Sequence, residues 1–297
     1  MTLEHEAVER LLRTEEPVEV PADAVVAAAV AARRPGRSTD VDEPASPLEV
    51  YRDRVADFAA AVTPVASDGW GRRAEPYPWT VHQLVAHLAA IEEYCGYVLG
   101  IPGSAPPPES ELDHLAMTEP AVQAAASVDP HDTVAAWHAA ATRLADHLEA
   151  AGQDALAERV VLHGFPMSVR SMLIVRGFEL WTHADDVRRA TGRATVDPPA
   201  NVLHTMSTLS VFSLPLPTAI DRPVTARVVL TGRGGGAWTI GLGGPPGDEP
   251  DVEVLALAVD WCRMASRRIE ADRLDATVDG DADLANRLLA AAQTLAF

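Results

Sequence analysis

Residues 170–193 read RSMLIVRGFELWTHADDVRRATGR, and the spacing predicts one long helix with Met172, Val175, Glu179, His183, Asp186 and Ala190 on its inward stripe. Glu179 and His183 are four residues apart, about 40° around the helix and about 6 Å along its axis, which is a chelating arrangement. Two ionisable groups on an otherwise apolar stripe need partners, because burying them unpaired costs several kcal/mol. One solution is a divalent metal shared with a histidine from a facing helix. The other pairs Glu179 with Arg176 three residues earlier and leaves His183 as a hydrogen-bonded core histidine; the spacing alone does not choose.

Working back from this helix, three more long helices complete a bundle. Ser46, Pro47 and Glu49 give an N-cap, a first-turn proline and a capping-box glutamate, opening a helix to about residue 65 with Leu48, Tyr51, Val55, Phe58 and Val62 on one face. Thr80 and Gln83 form a second capping box. The helix they open carries Leu84, His87, Leu88, Ile91 and Val98 on its apolar side and stops at Gly100, so His87 points into the bundle. His82 lies about 140° around the wheel from His87 and faces elsewhere. Residues 102–113, with three consecutive prolines, read as loop, and 119–126 as a short helix. Asp132 caps a third long helix through residue 151, stopped by Gly152. His138 and His147 on it read as packing or surface residues. The piece around His163-Gly164-Phe165-Pro166 reads as irregular, and the helix of the opening stretch then runs from Ser168 to Gly192.

Beyond Pro198 the pattern changes. A linking helix over 199–213 leads to a strand at 224–231, in which Val224, Ala226, Val228 and Leu230 alternate with more polar positions. Glycines at 232–236 join it to a strand at 238–242, giving a hairpin. A third strand at 252–257, a helix at 261–268 and a final helix capped by Asp281 and running to 295 follow. The Gly234-Gly235-Gly236 run lies between strands and has no following helix or P-loop lysine, so it reads as a turn and not as a phosphate cradle. The expected fold class is therefore α plus α+β: an extension at 1–45, a four-helix bundle at 46–197 and a smaller α+β domain at 198–297.

Composition narrows the function. A net charge of −19 argues against a nucleic-acid binder, and all 24 basic residues are arginines with no concentrated basic face. Cys95 and Cys262 are too few and too far apart for a disulfide framework or a CxxC site, which suits a reducing cytoplasm. The acidic start MTLEHEAVER does not read as a signal peptide, and the apolar run at 24–32 is too short to span a bilayer, so no membrane association is expected. Residues 1–45, with a short amphipathic helix near 3–13 and Arg33, Arg34 and Arg37, read as a peripheral appendage.

Two histidines and a carboxylate, His87, Glu179 and His183, form the kind of three-donor set that catalytic metal sites use while keeping a further position open. Asp186, three residues after His183, is placed to accept from that ring's other nitrogen and fix its orientation.

The motifs WTVHQLVAHL at 79–88, E-x-x-x-H-x-x-D at 179–186 and VDGDADLANRLL at 278–289 together resemble the mycothiol-dependent maleylpyruvate isomerase family. The likeness spans roughly residues 46–297. It implies a DinB-like four-helix bundle joined to a sterol-carrier-like α/β domain, with zinc held by His87, Glu179 and His183. It also implies an active-site arginine from the C-terminal domain, for which Arg263, Arg267, Arg268 and Arg273 are candidates. The implied cofactors are Zn²⁺ and mycothiol or another low-molecular-weight thiol. The implied mechanism is that the metal deprotonates the thiol and the thiolate attacks a small electrophile, which would make the protein an isomerase or an S-transferase. Two alternatives stay open. The same metal could activate water in a hydrolase, or the protein could be a non-catalytic binding or regulatory module acting through residues 1–45.

Overall fold

A computed structural model describes residues 41, 43–106, 114–215, 218, 220 and 222–293. The expected helix near 3–13, the arginines at 33–37, most of the proline loop and the last four residues lie outside the described residues.

Helix α1 (Pro47–Val62) starts at both predicted capping contacts: the Ser46 hydroxyl accepts from the Glu49 amide, and the Glu49 carboxylate accepts from the Ser46 amide. Helix α2 (Val81–Val98) repeats the device with Thr80 and Gln83. Each box satisfies two orphan backbone donors, which is why both helix starts were legible. Helix α3 (His114–Ala124) begins five residues before the expected position and carries Pro120 within it. Helix α4 (Pro130–Ala151) starts at Asp129, not Asp132; Asp129 accepts from the His131 amide, and Pro130 supplies the preset φ of a first helical residue.

The piece around His163 is not irregular. Strands β1 (Arg159–Leu162) and β2 (Phe165–Ser168) form a two-residue hairpin with His163 and Gly164 at φ of 50° and 81°. Positive φ at both turn positions is the geometry whose twist matches paired strands. The Ser168 hydroxyl, at the end of β2, then caps α5 (Val169–Ala190) by accepting from the Ser171 amide.

Helices α1, α2, α4 and α5 enclose a core containing Tyr51, Phe58, Leu84, Ile91, Trp137, Leu144 and Leu180. The second core is built on a four-stranded sheet of order β4-β3-β5-β6, comprising β3 (Val224–Thr231), β4 (Gly236–Leu242), β5 (Val252–Leu257) and β6 (Thr277–Gly280). Strands β3 and β5 run parallel and the other pairs antiparallel. Helix α6 (Ala200–Ser213) enters this domain, α7 (Ala258–Ala265) follows β5, and α8 (Ala282–Gln293) follows β6, with Asp281 capping the Leu284 amide. Helix α7 starts three residues before the expected Trp261. Strand β6 was not foreseen, because only four residues pair and three of them are exposed.

Helix α5 joins the two cores. Met172, Leu173, Leu180, Ala184 and Val187 face the bundle, whereas Ile174 and Trp181 belong to the core of the sheet domain together with Val50 of α1. Gly177 makes this packing possible. A Cβ there would lie 2.7 Å from Val50 Cγ1, so the absent side chain lets α1 and α5 approach closely.

Candidate metal centre

Three donors converge where α2 meets α5. One ligand atom from each of His87, Glu179 and His183 can be chosen so that all lie within 4.8 Å of one another. The two imidazoles stand nearly perpendicular, with ring centroids 5.8 Å apart, and His87 Nε2 is 3.1 Å from Glu179 Oε1. Both rings are buried, at 1% and 2% exposure. These are the residues singled out from the sequence, and the fold brings them together.

The remaining atoms of each group are already engaged. His87 Nδ1 is 2.8 Å from Thr118 Oγ1 on α3, and that hydroxyl donates to the carbonyls of His114 and Leu115. With its proton so directed, Thr118 can accept from Nδ1–H, the tautomer in which His87 Nε2 would offer its lone pair to a metal; in the other tautomer Nε2–H donates to Glu179 Oε1. His183 Nδ1 is 3.0 Å from Asp186 Oδ2, which likewise leaves Nε2 as the free donor atom. The second Glu179 oxygen, Oε2, accepts from Arg176. Two lone-pair nitrogens and one carboxylate oxygen facing a common point, each ring held from behind, fit a divalent cation. The two Glu179 oxygens are thus divided: Oε2 pairs with Arg176 and Oε1 faces His87.

The electrostatics agree. Burial pushes the Glu179 carboxyl up, but the Arg176 charge and the bond to His87 outweigh it and hold the group below the usual carboxylate range. Burial depresses both histidines, only partly opposed by Glu179 at His87 and by Asp186 at His183, so the rings favour the neutral form that ligates metals. Asp186 is desolvated as well, yet its bond to His183 and the charge of Arg268 keep its carboxyl low.

The four candidate arginines separate clearly. Arg268, just after α7, places Nη2 2.5 Å from Asp186 Oδ2 and Nε 3.1 Å from Oδ1, with its guanidinium 5.6 Å from the Tyr77 ring centroid. Arg263 reaches the neighbouring carboxylates instead, Asp197 at 2.8 Å and Asp185 at 3.6 Å, and lies over Trp181. Arg267 donates through Nε to the Gln293 carbonyl and lines the cavity beside the cluster. Arg273 is exposed and does not line it. Sequence reasoning missed Thr118 and Tyr77. Neither carries a local signal, since each matters only through a neighbour distant in the chain.

Glu179 and His183 open onto a cavity of about 910 Å³. Its walls come from both domains: Tyr77 before α2, His114 of α3, Phe165 and Met167 of β2, Phe178 of α5, Leu209 of α6, and Arg267 and Arg268 after α7. His82, also on α2, faces away and meets Thr133 Oγ1 at 2.8 Å. No helix among the described residues is long and apolar enough to cross a membrane.

The class defined by this fold and site is a helical bundle with a buried His/His/Glu donor set, closed on one side by a smaller sheet-containing domain. Comparison with known proteins agrees on the fold. Residues 51–188 match the family described as the mycothiol maleylpyruvate isomerase N-terminal domain, the family that the chain's motifs resemble. The crystal structure of the mycothiol-dependent maleylpyruvate isomerase is similar at 18% identity and a TM-score of 0.54, and that of a histidine-to-alanine variant of the enzyme at 17% and 0.53. Each alignment covers 78% of this chain and 91% of the other. No curated protein matches the chain.

Proposed function

We propose that this protein is an isomerase or S-transferase that uses mycothiol or a comparable low-molecular-weight thiol against a small electrophile, with His87, Glu179 and His183 holding a divalent metal, zinc by family likeness. The observation that carries this reading is the cluster itself: three donor atoms within 4.8 Å, each group with its other polar atom committed elsewhere. A metal bound there supplies the positive charge that makes a coordinated thiol acidic enough to be a thiolate near neutral pH.

The chain's own residues do the rest. Thr118 and Asp186 hold the two imidazoles in the tautomer that presents Nε2. Tyr77, Phe178, Phe165 and Met167 give the cavity an apolar wall that restricts water around a nucleophilic sulfur. Arg268 pairs with Asp186, fixing that carboxylate behind His183, and lines the cavity. A thiolate that adds to a cis double bond, allows rotation about the new single bond and is then eliminated returns the isomer with the thiol unconsumed. Displacement of a leaving group by the same thiolate gives a transferase. The protein's own cysteines take no part: both are buried, and burial pushes the Cys262 thiol up to about 12. We place the working site in residues 46–197 and its cover in 198–297, in a reducing cytoplasm.

Metal analysis combined with thiol-binding calorimetry tests this, comparing the wild type with His183→Ala. About one zinc per chain is expected for a three-donor site, with metal and thiol binding both lost in the variant. Full zinc occupancy in His183→Ala would overturn the ligand assignment.

A further inference from the structure

A chain of buried polar contacts in the bundle ends on the His87, Glu179 and His183 cluster. Tyr51 of α1 donates to Glu92 Oε2 of α2 at 2.7 Å, Arg176 Nη2 of α5 donates to Glu92 Oε1 at 2.8 Å, and Arg176 Nη1 donates to Glu179 Oε2. Tyr51, Glu92 and Arg176 are all at most 1% exposed. Arg176 Nε has no hydrogen-bond partner. A buried ion pair with an unsatisfied donor is a poor stability device, since well-packed apolar residues of similar volume often do as well or better. Its geometry accounts for its presence in another way. Arg176 precedes Glu179 by three residues, so the two side chains lie side by side on α5. The guanidinium fork spans two carboxylates at fixed positions, which a point charge cannot do.

We propose that Arg176 is a positioning residue that limits Glu179 to a single ligand oxygen. It occupies Oε2 and leaves only Oε1 directed at His87, and by denying the metal a second carboxylate oxygen it keeps a coordination position free for an incoming sulfur. Glu92 and Tyr51 fix the guanidinium from the far side. This inference rests on the metal reading above.

The test keeps charge constant while removing the clamp. In Arg176→Met/Glu92→Gln one cation and one anion are lost together, so the buried net charge is unchanged, and the new side-chain amide can still accept from Tyr51. Wild type and variant are loaded with Co²⁺, whose d–d absorption is strong in four-coordinate sites and weak at higher coordination, and are titrated with 2-mercaptoethanol. The wild type is expected to give an intense spectrum and a sulfur-to-cobalt charge-transfer band. The variant is expected to bind cobalt at the same stoichiometry and at least as tightly, with a several-fold weaker d–d band and thiol affinity reduced about 10- to 100-fold, the usual effect of losing an outer partner of a ligand. A role in stability alone would lower cobalt affinity and leave the band shape intact. Arg176→Lys keeps the charge without the fork and is measured in parallel, with a change in the same direction expected. Native spectra and thiol affinity in the folded variants overturn the proposal for Arg176, and if the double variant does not fold, Arg176→Lys decides alone. Failure of the wild type to bind cobalt at all overturns the metal reading instead.

Discussion

On the proposed metal reading, Thr118 gives the sharpest test of how the cluster is arranged. Its hydroxyl can accept from His87 Nδ1 while donating to the carbonyls of His114 and Leu115. Thr118→Val keeps the shape and removes the acceptor. In the metal-bound protein, Nε2 must offer its lone pair, so the proton has to sit on Nδ1, where the variant leaves it buried without a partner at a cost of about 1–3 kcal/mol. In the metal-free protein the ring can switch tautomer and donate from Nε2 to Glu179 Oε1, already 3.1 Å away, so most of that penalty is avoided. The cost therefore falls on the bound state. At about 1.4 kcal/mol per tenfold, zinc affinity should fall roughly 10- to 100-fold, while metal-free melting moves by less than about 4 °C. Competition against a chromogenic chelator measures the first quantity and circular dichroism the second. Thr118→Ser, which restores the hydroxyl, should bind zinc within about threefold of wild type, a difference worth under 1 kcal/mol. The reasoning is refuted if Thr118→Val binds zinc as tightly as wild type, or if the serine variant is equally weakened.

Three further outcomes are expected. Gly177→Ala should destabilise by about 1–3 kcal/mol in urea, despite the helix preference of alanine, because its Cβ meets Val50 Cγ1. Adding Val50→Ala should recover part of the loss, and stabilisation by Gly177→Ala alone would show that α1 has room to yield. Asp186→Asn should weaken the metal-free protein at neutral pH, with the difference shrinking as acid is added. The native carboxyl lies below its ordinary value, so the stability that it contributes is complete above the unfolded pKa of about 3.9 and is lost as pH falls through the native one. A wild-type-to-variant gap that stays constant from pH 7 to pH 3 would count against the assignment. Neither cysteine should react with an aromatic disulfide reagent at pH 8 in the native protein, and both should react in denaturant; a rapid native reaction would contradict their burial.

The fold was legible wherever a local chemical signal marks an element. Both capping boxes opened the helices that they predicted, and β3 and β5 fell at 224–231 and 252–257 as the apolar runs implied. The failures are positions where the deciding contact is distant. The hairpin of β1 and β2 has four-residue strands, includes Pro166 and places a histidine at positive φ, so its turn looked like loop. Helix α5 was read as having one inward stripe, whereas it is covered on two sides and buries Ile174 and Trp181 in the sheet domain. At the site, helical spacing put Glu179 and His183 together and turned His87 inward, but could not choose between a metal and the Arg176 pair. Glu179 has two oxygens, and in the structure one pairs with Arg176 while the other faces His87. That Arg268 among the four arginines meets Asp186 was not legible, because it depends on the turn after α7 coming back to α5.

Asp185 and Asp186 are consecutive on α5, both buried, and arginines from the turn and helix beyond β5 answer them, Arg263 for the first and Arg268 for the second. The bundle alone is therefore not a portable part. Grafted onto another scaffold or expressed as residues 46–197, it would keep only the more exposed Arg189, 3.2 Å from Asp186, and lose the buried Arg268 beside the histidine whose orientation that carboxylate sets. For engineering, the smallest unit that can be recombined is the bundle together with its cover. A chimera should be cut outside both partners of these two pairs, because a crossover between residues 186 and 263 has to supply a matching arginine from the new neighbour.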